Sequence, residues 1–476
     1  MKRIQFIALI LILLLLCACV PTPEEEFVHN QSEDYMEHVQ MIENVPTGTP
    51  AISEAAQPEG TSILAEQVHE QVGQVAIPKE IRTEPISLSS NLLLRYDCTV
   101  RASYDRFGIA EVEQHVFSSE ELSGYLDCLM SSGSRFCELP ATKAYWVAAA
   151  QSYIEACRRI GREPEEETIS HITAKAESAP DSVAEKPFRM SDATEFQWYH
   201  AYTQNENGSF ARFSFKLGTA DFSYVKDESA DYLREDALDL NEDQNILPDY
   251  QESFPDPDML LPKAKSLLEQ FGLKDMILYS ATKIIAYRGN TPCEYGWDFA
   301  FVHGVNGIPA RYEMRAFDYG GVAPTLVSPF GPEAALISIN QDGELMCVDF
   351  RSILTTPKPV MENVRLCEMT DIQSGIEKYM KSVFGWAAQN NAPGSCVVID
   401  SMELFTACVN VKDRTHLGRL IPVWYVSGRY VGTTKDSSNA RGETIPGANF
   451  EIPFGYYFSA LDGSYIEPRI TRSMAG

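Results

Sequence analysis

The chain has 476 residues, of which 67 are acidic and 39 are basic, so its formal net charge at pH 7 is −28. At about 100–200 residues per domain, this length predicts two or three domains with their own cores. A hydrophobic content of 44% and an aromatic content of 11% exclude a wholly disordered chain. The excess of acid argues against nucleic acid as a partner, because phosphates attract basic surfaces. It argues equally against attachment to anionic lipid by charge alone.

The N-terminus has the features of a secretory signal. Lys2 and Arg3 precede an apolar run over residues 4–16, and the sequence Leu-Cys-Ala-Cys at 16–19 ends that run. A basic start, a short apolar segment and a small residue before the cleavage point are typical of exported proteins. The run is shorter than the roughly 20 residues that span a bilayer. We predict a signal peptide at residues 1–18, with an uncleaved anchor helix or export without a lipid as alternatives.

The Leu-Cys-Ala-Cys sequence resembles the lipobox of bacterial lipoproteins, in which the cysteine after the small residue is diacylated and becomes the new N-terminus. The resemblance implies that Cys19 is the lipidated residue. Two or more acyl chains anchor a protein stably, whereas one chain binds only marginally. We therefore expect an extracytoplasmic protein, held by this lipid on the outer face of the cytoplasmic membrane.

Residues 19–80 are predicted to form a lipidated, disordered tether. Residues 20–80 contain twelve acidic residues and one base, Lys79. No hydrophobic period of 2 or 3.6 persists through them, which favours a flexible coil. A coil of this length spans roughly 40–50 Å on average, enough to lift a folded body from the membrane surface.

Residues 81–226 are predicted to form a first α+β domain that begins with two strands. Apolar and polar residues alternate over 92–102, which is typical of a half-buried strand. A second strand is expected over 109–116. Ser118 stands three residues before Glu121, so this capping box predicts that a helix follows.

The rest of this domain is predicted to contain a long helix and further strands. An apolar stripe at helical spacing marks residues 142–160. The polar residues 162–190 are interpreted as a mobile connection. Strand-like alternation returns over 195–225.

Residues 227–258 are acidic and contain three prolines, so we interpret them as an inter-domain linker. Within them Asp239, Asn241 and Asp243 copy the first half of an EF-hand loop, whose oxygen ligands suit calcium. The pattern then fails, because Gln244 replaces the turn glycine and Tyr250 replaces the closing acid. A solvated acidic linker is the simpler interpretation, so no metal site is predicted, and calcium binding stays an alternative.

Residues 259–476 are predicted to form a C-terminal α+β domain of two similar units, 259–365 and 366–476. Each unit reads as a helix followed by an antiparallel meander, with Asp-Gly pairs at 342–343 and 462–463 as hairpin turns. In the second unit, Thr370 and Gln373 form a capping box for a helix that we expect to end at Gly385. The predicted fold class is α+β, with antiparallel meander sheets, helices packed on one face, and a duplication in the C-terminal half.

Four segments resemble a family of Gram-positive bacterial lipoproteins known as domain of unknown function 6034: residues 295–297, 305–309, 420–424 and 460–464. That resemblance implies no activity and no catalytic residues. The helix-plus-meander unit also resembles the PepSY-type units of extracytoplasmic regulators such as YycH and YycI, which bind and restrain a membrane sensor kinase. Because this second resemblance concerns the fold, it bears on function only by analogy.

The sequence contains no serine-hydrolase elbow, zinc-protease helix, phosphate-binding loop or dinucleotide-binding turn, so we predict no catalytic residues and no cofactor. Glu111, Glu113 and His115 share one face of the predicted second strand. Carboxylates beside an imidazole can perform acid–base catalysis or bind a metal. The solvated face of a sheet explains the same pattern more simply.

Cysteine and tryptophan residues are interpreted as structural. Nine cysteines follow Cys19, and none forms a CxxC pair. We predict buried thiols, with one or two disulfides as the alternative in an oxidising compartment. Trp297 and Trp424 take comparable places in the two meanders, where core packing is favoured over a pair that stacks on a ligand.

These features favour a non-catalytic binding or regulatory lipoprotein whose partner is a membrane or cell-wall protein. One alternative is a solute-binding lipoprotein of a transporter, although such proteins are usually built from βαβ lobes with parallel sheets. A surface hydrolase that uses the Glu111, Glu113 and His115 trio is the other alternative.

Overall fold

A computed structural model gives the structure of the protein, and it describes residues 71–72, 75–129, 137–138, 142–159, 162–181, 186–187, 190, 198–204, 210–228, 230–234, 254–288, 291–311, 326–327, 330–331, 333–391, 393–411, 414–438, 444–445, 447–466 and 470–471. Within these ranges no helix has both the length and the apolar character needed to cross a membrane.

Five helices lie in the described ranges: α1 (Ser119–Leu129), α2 (Lys143–Arg159), α3 (Glu166–Ser178), α4 (Pro257–Gln270) and α5 (Met369–Asn390). The strands are β1 (Gln71–Val72), β2 (Val75–Ala76), β3 (Glu80–Arg82), β4 (Ile86–Ser89), β5 (Leu92–Ala102), β6 (Ile109–Glu113), β7 (Cys137–Glu138), β8 (Lys186–Pro187), β9 (Trp198–Gln204), β10 (Phe210–Lys216), β11 (Phe222–Val225), β12 (Asp231–Arg234), β13 (Ile277–Arg288), β14 (Thr291–Val302), β15 (Gly304–Val305), β16 (Ile308–Pro309), β17 (Leu326–Val327), β18 (Ala334–Asn340), β19 (Leu345–Arg351), β20 (Lys358–Met361), β21 (Ser395–Val411), β22 (Arg414–Thr433), β23 (Ser437–Ser438), β24 (Thr444–Ile445), β25 (Asn449–Ser459), β26 (Tyr465–Ile466) and β27 (Ile470–Thr471).

Most strands belong to two curled, mostly antiparallel sheets, so the α+β prediction is confirmed. The first sheet has the order β12-β13-β14-β18-β19-β11-β10-β9-β7-β8. The second has the order β20-β6-β22-β21-β5-β3, with β4 on β5 and with β25 and β26 extending from β22. The pairing of β5 with β21 is parallel. The long strand β22 supports both β6 and β25, because these two pair with different stretches of it.

Each half of the C-terminal region contains a helix followed by a four-stranded antiparallel meander. In the first, α4 precedes β13, β14, β18 and β19; in the second, α5 precedes β21, β22, β25 and β26. The apolar side chains of α5 line up along one face and are buried against the second sheet: Ile372, Ile376, Tyr379, Met380 and Phe384. α1 and α4 pack in the same way against one face of the first sheet.

Several local predictions are confirmed in detail. The six residues that form the apolar face of the alternating stretch 92–102 are all buried in β5. In the capping box, the Ser118 amide donates to Glu121 Oε2 at 2.8 Å and the Glu121 amide donates to Ser118 Oγ at 3.2 Å. The glycines of both Asp-Gly turns, Gly343 and Gly463, have positive φ angles, as hairpin turns of this kind require.

Three helix predictions are wrong. Residues 166–178 form α3 rather than a mobile connection, because Ile169, Ile172 and Ala176 recur at helical spacing among the polar residues. The predicted capping box of α5 does not form either, since the helix already begins at Met369 and its N-cap, Glu368, makes no side-chain cap bond. That helix also continues past Gly385 to Asn390.

The hydrogen-bonded sheets do not follow the predicted domain boundaries. One sheet combines strands from two predicted domains: it contains β9, β10 and β11 of the predicted first domain together with the strands of residues 277–351, and β11 pairs directly with β19. β5 and β6 pair instead with β21 and β22 in the other sheet. Within the predicted linker, Asp231–Arg234 form β12 at an edge of the first sheet.

Candidate functional site

The predicted trio of Glu111, Glu113 and His115 does not form one site. Glu111 Oε1 accepts hydrogen bonds from Nε and Nη2 of Arg419, at 3.1 and 2.9 Å. His115 Nε2 lies 2.9 Å from Glu121 Oε1 at the start of α1, and Glu113 is exposed. Glu111 therefore belongs to an ion pair with Arg419 and His115 to a separate hydrogen bond with Glu121, and the two contacts hold different neighbouring elements.

A buried histidine–glutamate pair lies where the two sheets meet, and sequence reasoning missed it. Glu333 Oε1 lies 2.6 Å from His303 Nδ1 and also accepts the Leu354 amide at 2.8 Å. Glu333 Oε2 accepts the amide of His303 at 2.8 Å. Both side chains are almost completely buried, at 3% and 5% exposure. Three donors thus bind the Glu333 carboxylate. These hydrogen bonds hold the chain segments around His303, Glu333 and Leu354 together.

The surroundings of this pair show that it lies at the junction of the sheets. His303 follows β14 of the first sheet, and the amide of Ala310 donates to its carbonyl at 2.8 Å. Ala310 in turn forms a bridge with Thr406 of β21 in the second sheet. Cys408, also on β21, packs in the small apolar cluster that includes Ala310 and Leu354. Burial raises the pKa of the Cys408 thiol, which disfavours the nucleophilic thiolate.

A second charged group at the junction is Arg311. Its guanidinium carbon lies 4.8 Å from the ring centre of Phe405 and 5.2 Å from that of Tyr425. Its Nη1 donates to Glu403 Oε2 at 2.6 Å, and its amide donates to the Thr406 carbonyl at 2.8 Å. Burial acts to lower the pKa of Arg311, but the nearby Glu403 carboxylate outweighs it and raises the pKa. Arg311 thus anchors the chain that leaves β16 to the aromatic face of the second sheet.

The face of the first sheet opposite α1 and α4 carries a further buried ionic group. Asp298 on β14 is 2% exposed and is bound by Arg234 Nε through Oδ2 and by Ser338 Oγ, at 2.6 Å, through Oδ1. The Asp298 carboxylate raises the pKa of Arg234 despite the opposing effect of burial. This group attaches the edge strand β12 to the centre of the sheet.

On the same sheet, His200 Nδ1 lies 2.8 Å from Ser214 Oγ. Burial, and after it the charge of Arg212, lower the pKa of His200, so its neutral form is favoured. Ser214 is only 4% exposed. A serine nucleophile must be reached by its substrate, so this pair fits a cross-strand hydrogen bond better than a catalytic dyad.

Eight cysteines can be described in this structure, and all are free thiols. Burial raises the pKa of Cys98 to about 11 and that of Cys367 to about 12. Cys128 and Cys293 are exposed. The interpretation as structural thiols fits the buried members of this set.

The two tryptophans differ in their surroundings. Trp424 is 1% exposed and belongs to the core of the second sheet. Trp297 is partly buried, and its Nε1–H donates to the Pro255 carbonyl at 2.7 Å, beside the ring of Phe254. Trp424 is therefore a core residue. Trp297 attaches the segment before α4 to β14 through its contacts with Pro255 and Phe254.

The predicted lipidation site Cys19 lies outside the described residues, and so do Asp239, Asn241 and Asp243 of the partial calcium loop that stays an alternative. In the part of the chain that is described, no group of three or more metal-binding side chains is found. A shallow, open depression lies at one end of β22 and β25, beside Gly432, Phe450 and Glu451.

Two solved structures are similar to this chain. An uncharacterised protein from Eubacterium rectale ATCC 33656 is 11% identical, with a TM-score of 0.37, and the similarity covers 85% of this chain and 97% of that one. The C-terminal domain of Bacillus megaterium YpeB, which is PepSY-like, is 10% identical, with a TM-score of 0.23, and covers 58% of this chain and 84% of that one. No protein-family profile and no curated protein matches the chain. At such TM-scores the similarities support no argument about function.

Proposed function

We propose that this protein is a membrane-anchored extracytoplasmic lipoprotein that acts by binding a protein partner at the membrane or cell wall. The observation that carries the proposal is the sequence Leu-Cys-Ala-Cys at residues 16–19, directly after a basic start and a short apolar run. Cys19 receives the acyl chains, and the acidic stretch that follows separates the folded body from the lipid surface.

The folded body supports a binding role through one partly open sheet face. In the second sheet α5 covers one face, and part of the opposite face carries half-buried polar and charged side chains. On the second sheet this other face includes Glu403, Tyr425 and the Arg429–Asp400 ion pair, whose Nη1–Oδ2 distance is 2.9 Å. Polar, partly exposed sheet faces of this kind are suited to contact with another macromolecule.

We also propose that the chain is related to the uncharacterised lipoprotein family that residues 295–297 and 420–424 resemble. We treat each helix-plus-meander unit as a PepSY-type unit. By analogy with YycH and YycI, the partner would then be a membrane protein whose activity is restrained by the contact.

The other two functions receive less support. A transporter's solute-binding protein would need a cleft between lobes, whereas the backbone bridges Ala310–Thr406 and Gln114–Leu354 link segments of these two sheets. A hydrolase would need Glu111, Glu113 and His115 to share one site. Instead, Arg419 binds Glu111 and Glu121 binds His115 at separate places.

Anchoring can be tested by detergent-phase partitioning of the full chain and two cysteine variants. Cys19→Ala should leave the detergent phase depleted of lipidated mature protein, because the acyl attachment site is lost. Cys17→Ala is the matched control: it changes a cysteine two residues away and should partition like the wild type. Equal partitioning of all three proteins would contradict lipidation at Cys19.

Binding can be tested by chemical cross-linking in intact cells followed by quantitative mass spectrometry. We expect one membrane or cell-wall protein at near-stoichiometric yield with the wild type, and a much lower yield with Cys19→Ala. Lipidated protein that yields no such partner would contradict the binding role while leaving the anchor intact.

A further inference from the structure

Residues 75–82 form a strap along one edge of the second sheet, and they include the last residues of the predicted tether. β3, within the strap, pairs antiparallel with β5, opposite residues 97–99. The amide of Val100 donates to the Lys79 carbonyl at 2.9 Å. β3 is the last strand of the sheet order on this side. Among the described strands, the strap is therefore held by β5 from one side.

Three aliphatic side chains attach the strap to the core. Val75, Ile77 and Ile81 are 1%, 5% and 9% exposed, and they belong to the core cluster formed by the second sheet and α5. The exposed residues of the strap are Ala76, Lys79, Glu80 and Arg82. The burial of three side chains must therefore offset the loss of conformational entropy of the whole strap.

Polar contacts add little to this attachment. Arg82 Nη2 lies 3.2 Å from Glu80 Oε2 within the strap, and Arg82 Nε lies 3.8 Å from Asp97 Oδ1 of β5. All three side chains are more than half exposed, and exposed ion pairs contribute little to stability. Pro78 has no amide hydrogen, so it cannot donate to a neighbouring strand. The docked strap depends mainly on its three buried side chains.

The pairings of β5 with the rest of the second sheet do not involve the strap. β5 pairs in parallel with β21 along residues 92–102, and β4 pairs with its first residues, 92–94. Residues 83–85 connect β3 to β4, so the strap can turn away there while β4 stays in place. An opening that breaks few contacts needs less free energy than global unfolding.

We propose that the strap undocks from the second sheet as a unit, about residues 83–85, while both sheets stay folded. Undocking frees the edge of β5 over residues 97–100. With a lipid on Cys19, it also adds the strap to the tether and lets the body move farther from the membrane. This last consequence rests on the proposed function, whereas the undocking itself does not, and the test measures the undocking alone.

The thiol of Cys98 distinguishes the docked strap from the undocked one. Cys98 is 3% exposed and lies directly opposite Ile81 in the register of β3 and β5. Burial raises the pKa of this thiol to about 11, so it reacts poorly with alkylating reagents while the strap is docked. Cys347 of β19 is 5% exposed in the other sheet and serves as the reference for larger unfolding.

The test is alkylation of the purified full chain with iodoacetamide, with the modification of each cysteine quantified by peptide mass spectrometry. Without denaturant, Cys98 should react at least about tenfold faster than Cys347, because undocking needs less free energy than global unfolding. Its rate should also rise less steeply with urea, because undocking exposes less surface. Equal rates with equal urea dependence overturn the proposal.

Two isoleucine variants separate undocking from larger unfolding. Ile77→Ala should accelerate the alkylation of Cys98 at least about tenfold, because it weakens the packing of the docked strap. Ile421→Ala is the matched control: Ile421 is 2% exposed in the same core cluster, but it lies on β22, with β21 between it and β5. It should change the Cys98 rate by less than about twofold, because its burial does not depend on the strap. Equal acceleration by both variants contradicts undocking.

A disulfide across the edge of the sheet gives a third comparison. Lys79 and Val100 are joined by a backbone hydrogen bond, so Arg82 and Asp97 form a non-hydrogen-bonded pair by alternation, with Cα atoms close enough for a disulfide. In Arg82→Cys/Asp97→Cys, oxidation should slow the alkylation of Cys98 to the rate of Cys347, and reduction should restore the wild-type rate. An oxidised variant whose Cys98 still reacts at the wild-type rate overturns the proposal.

Discussion

Several buried carboxylates of this protein bind donors from distant segments of the chain. Glu333 accepts three hydrogen bonds from His303 and Leu354, and Asp298 is bound by Arg234 and Ser338. A buried charge without partners is very unfavourable, so each carboxylate holds its donors in a defined position. These side chains therefore matter most for how the strands and sheets are attached to one another.

Replacing Glu333 by alanine should lower the free energy of unfolding by about 3–5 kcal/mol, because the buried His303 ring and two amides would lose their acceptor. The measurement is the urea midpoint of the purified chain. Glu80→Ala is the control: its partner Arg82 is 73% exposed, so the loss should be at most about 1 kcal/mol. Similar losses for the two variants would contradict the structural role of Glu333.

The pairing of His303 with Glu333 could not be predicted from the sequence. The two residues are 30 positions apart and no local period connects them. Their contact depends on how β14 ends and β18 begins, which is a property of the folded sheet. Ser118 and Glu121, in contrast, were predictable because a capping box is formed by residues three positions apart.

The helices show how local patterns and tertiary packing combine. The stripe of α5 continues beyond Gly385 because Phe384 and Ala388 are buried against the second sheet. A helical glycine costs only about 1 kcal/mol relative to alanine, so this packing overrides the predicted end. In α3 the apolar residues are few, so its short stripe of Ile169, Ile172 and Ala176 is interpreted from the sequence as part of a polar connection.

Two glycines of α5 should respond oppositely to alanine. A Cβ at Gly375 would lie 1.9 Å from the carbonyl oxygen of Gly463, so Gly375→Ala must push the helix away from that turn and destabilise the fold by about 1–3 kcal/mol. Nothing lies within 4 Å of a Cβ at Gly385, so Gly385→Ala should stabilise by about 0.5–1 kcal/mol. Urea unfolding measures both, and effects of the same sign would contradict the packing of α5.

The cap of α1 predicts a pH dependence of stability. Partial burial acts to raise the pKa of Glu121, but the hydrogen bonds from Ser118 and the nearby His115 ring outweigh it, so its pKa is lowered. A carboxylate with a lowered pKa in the folded state stabilises above its unfolded pKa of about 4.3. That contribution is lost as the pH falls through the folded-state pKa.

Glu121→Gln should therefore lower the Tm at pH 7, and its difference from the wild type should shrink as the pH falls below about 4.3. Glu120→Gln, in the same exposed turn of α1, is the control and should change the Tm little at either pH. Thermal unfolding followed by circular dichroism at pH 7 and at low pH makes the comparison. A difference that grows on acidification would contradict the sign of the pKa shift.

On the scale of the whole molecule, the two sheets are built from segments that are far apart in the chain. β5 pairs in parallel with β21, about 300 residues later, while β11 pairs with β19 in the other sheet. Hairpin turns predicted the two meanders because their strands are neighbours in sequence. They gave no information about the parallel pairing, since alternation defines the faces of a strand and not its partner.

The strongest single test of the lipoprotein account is mass spectrometry of the N-terminal peptide of the protein isolated from membranes. We expect a peptide that begins at Cys19 and carries the mass of a diacylglyceryl group on that residue, with residues 1–18 absent. A peptide that begins elsewhere, or one that begins at Cys19 with an unmodified thiol, would contradict it.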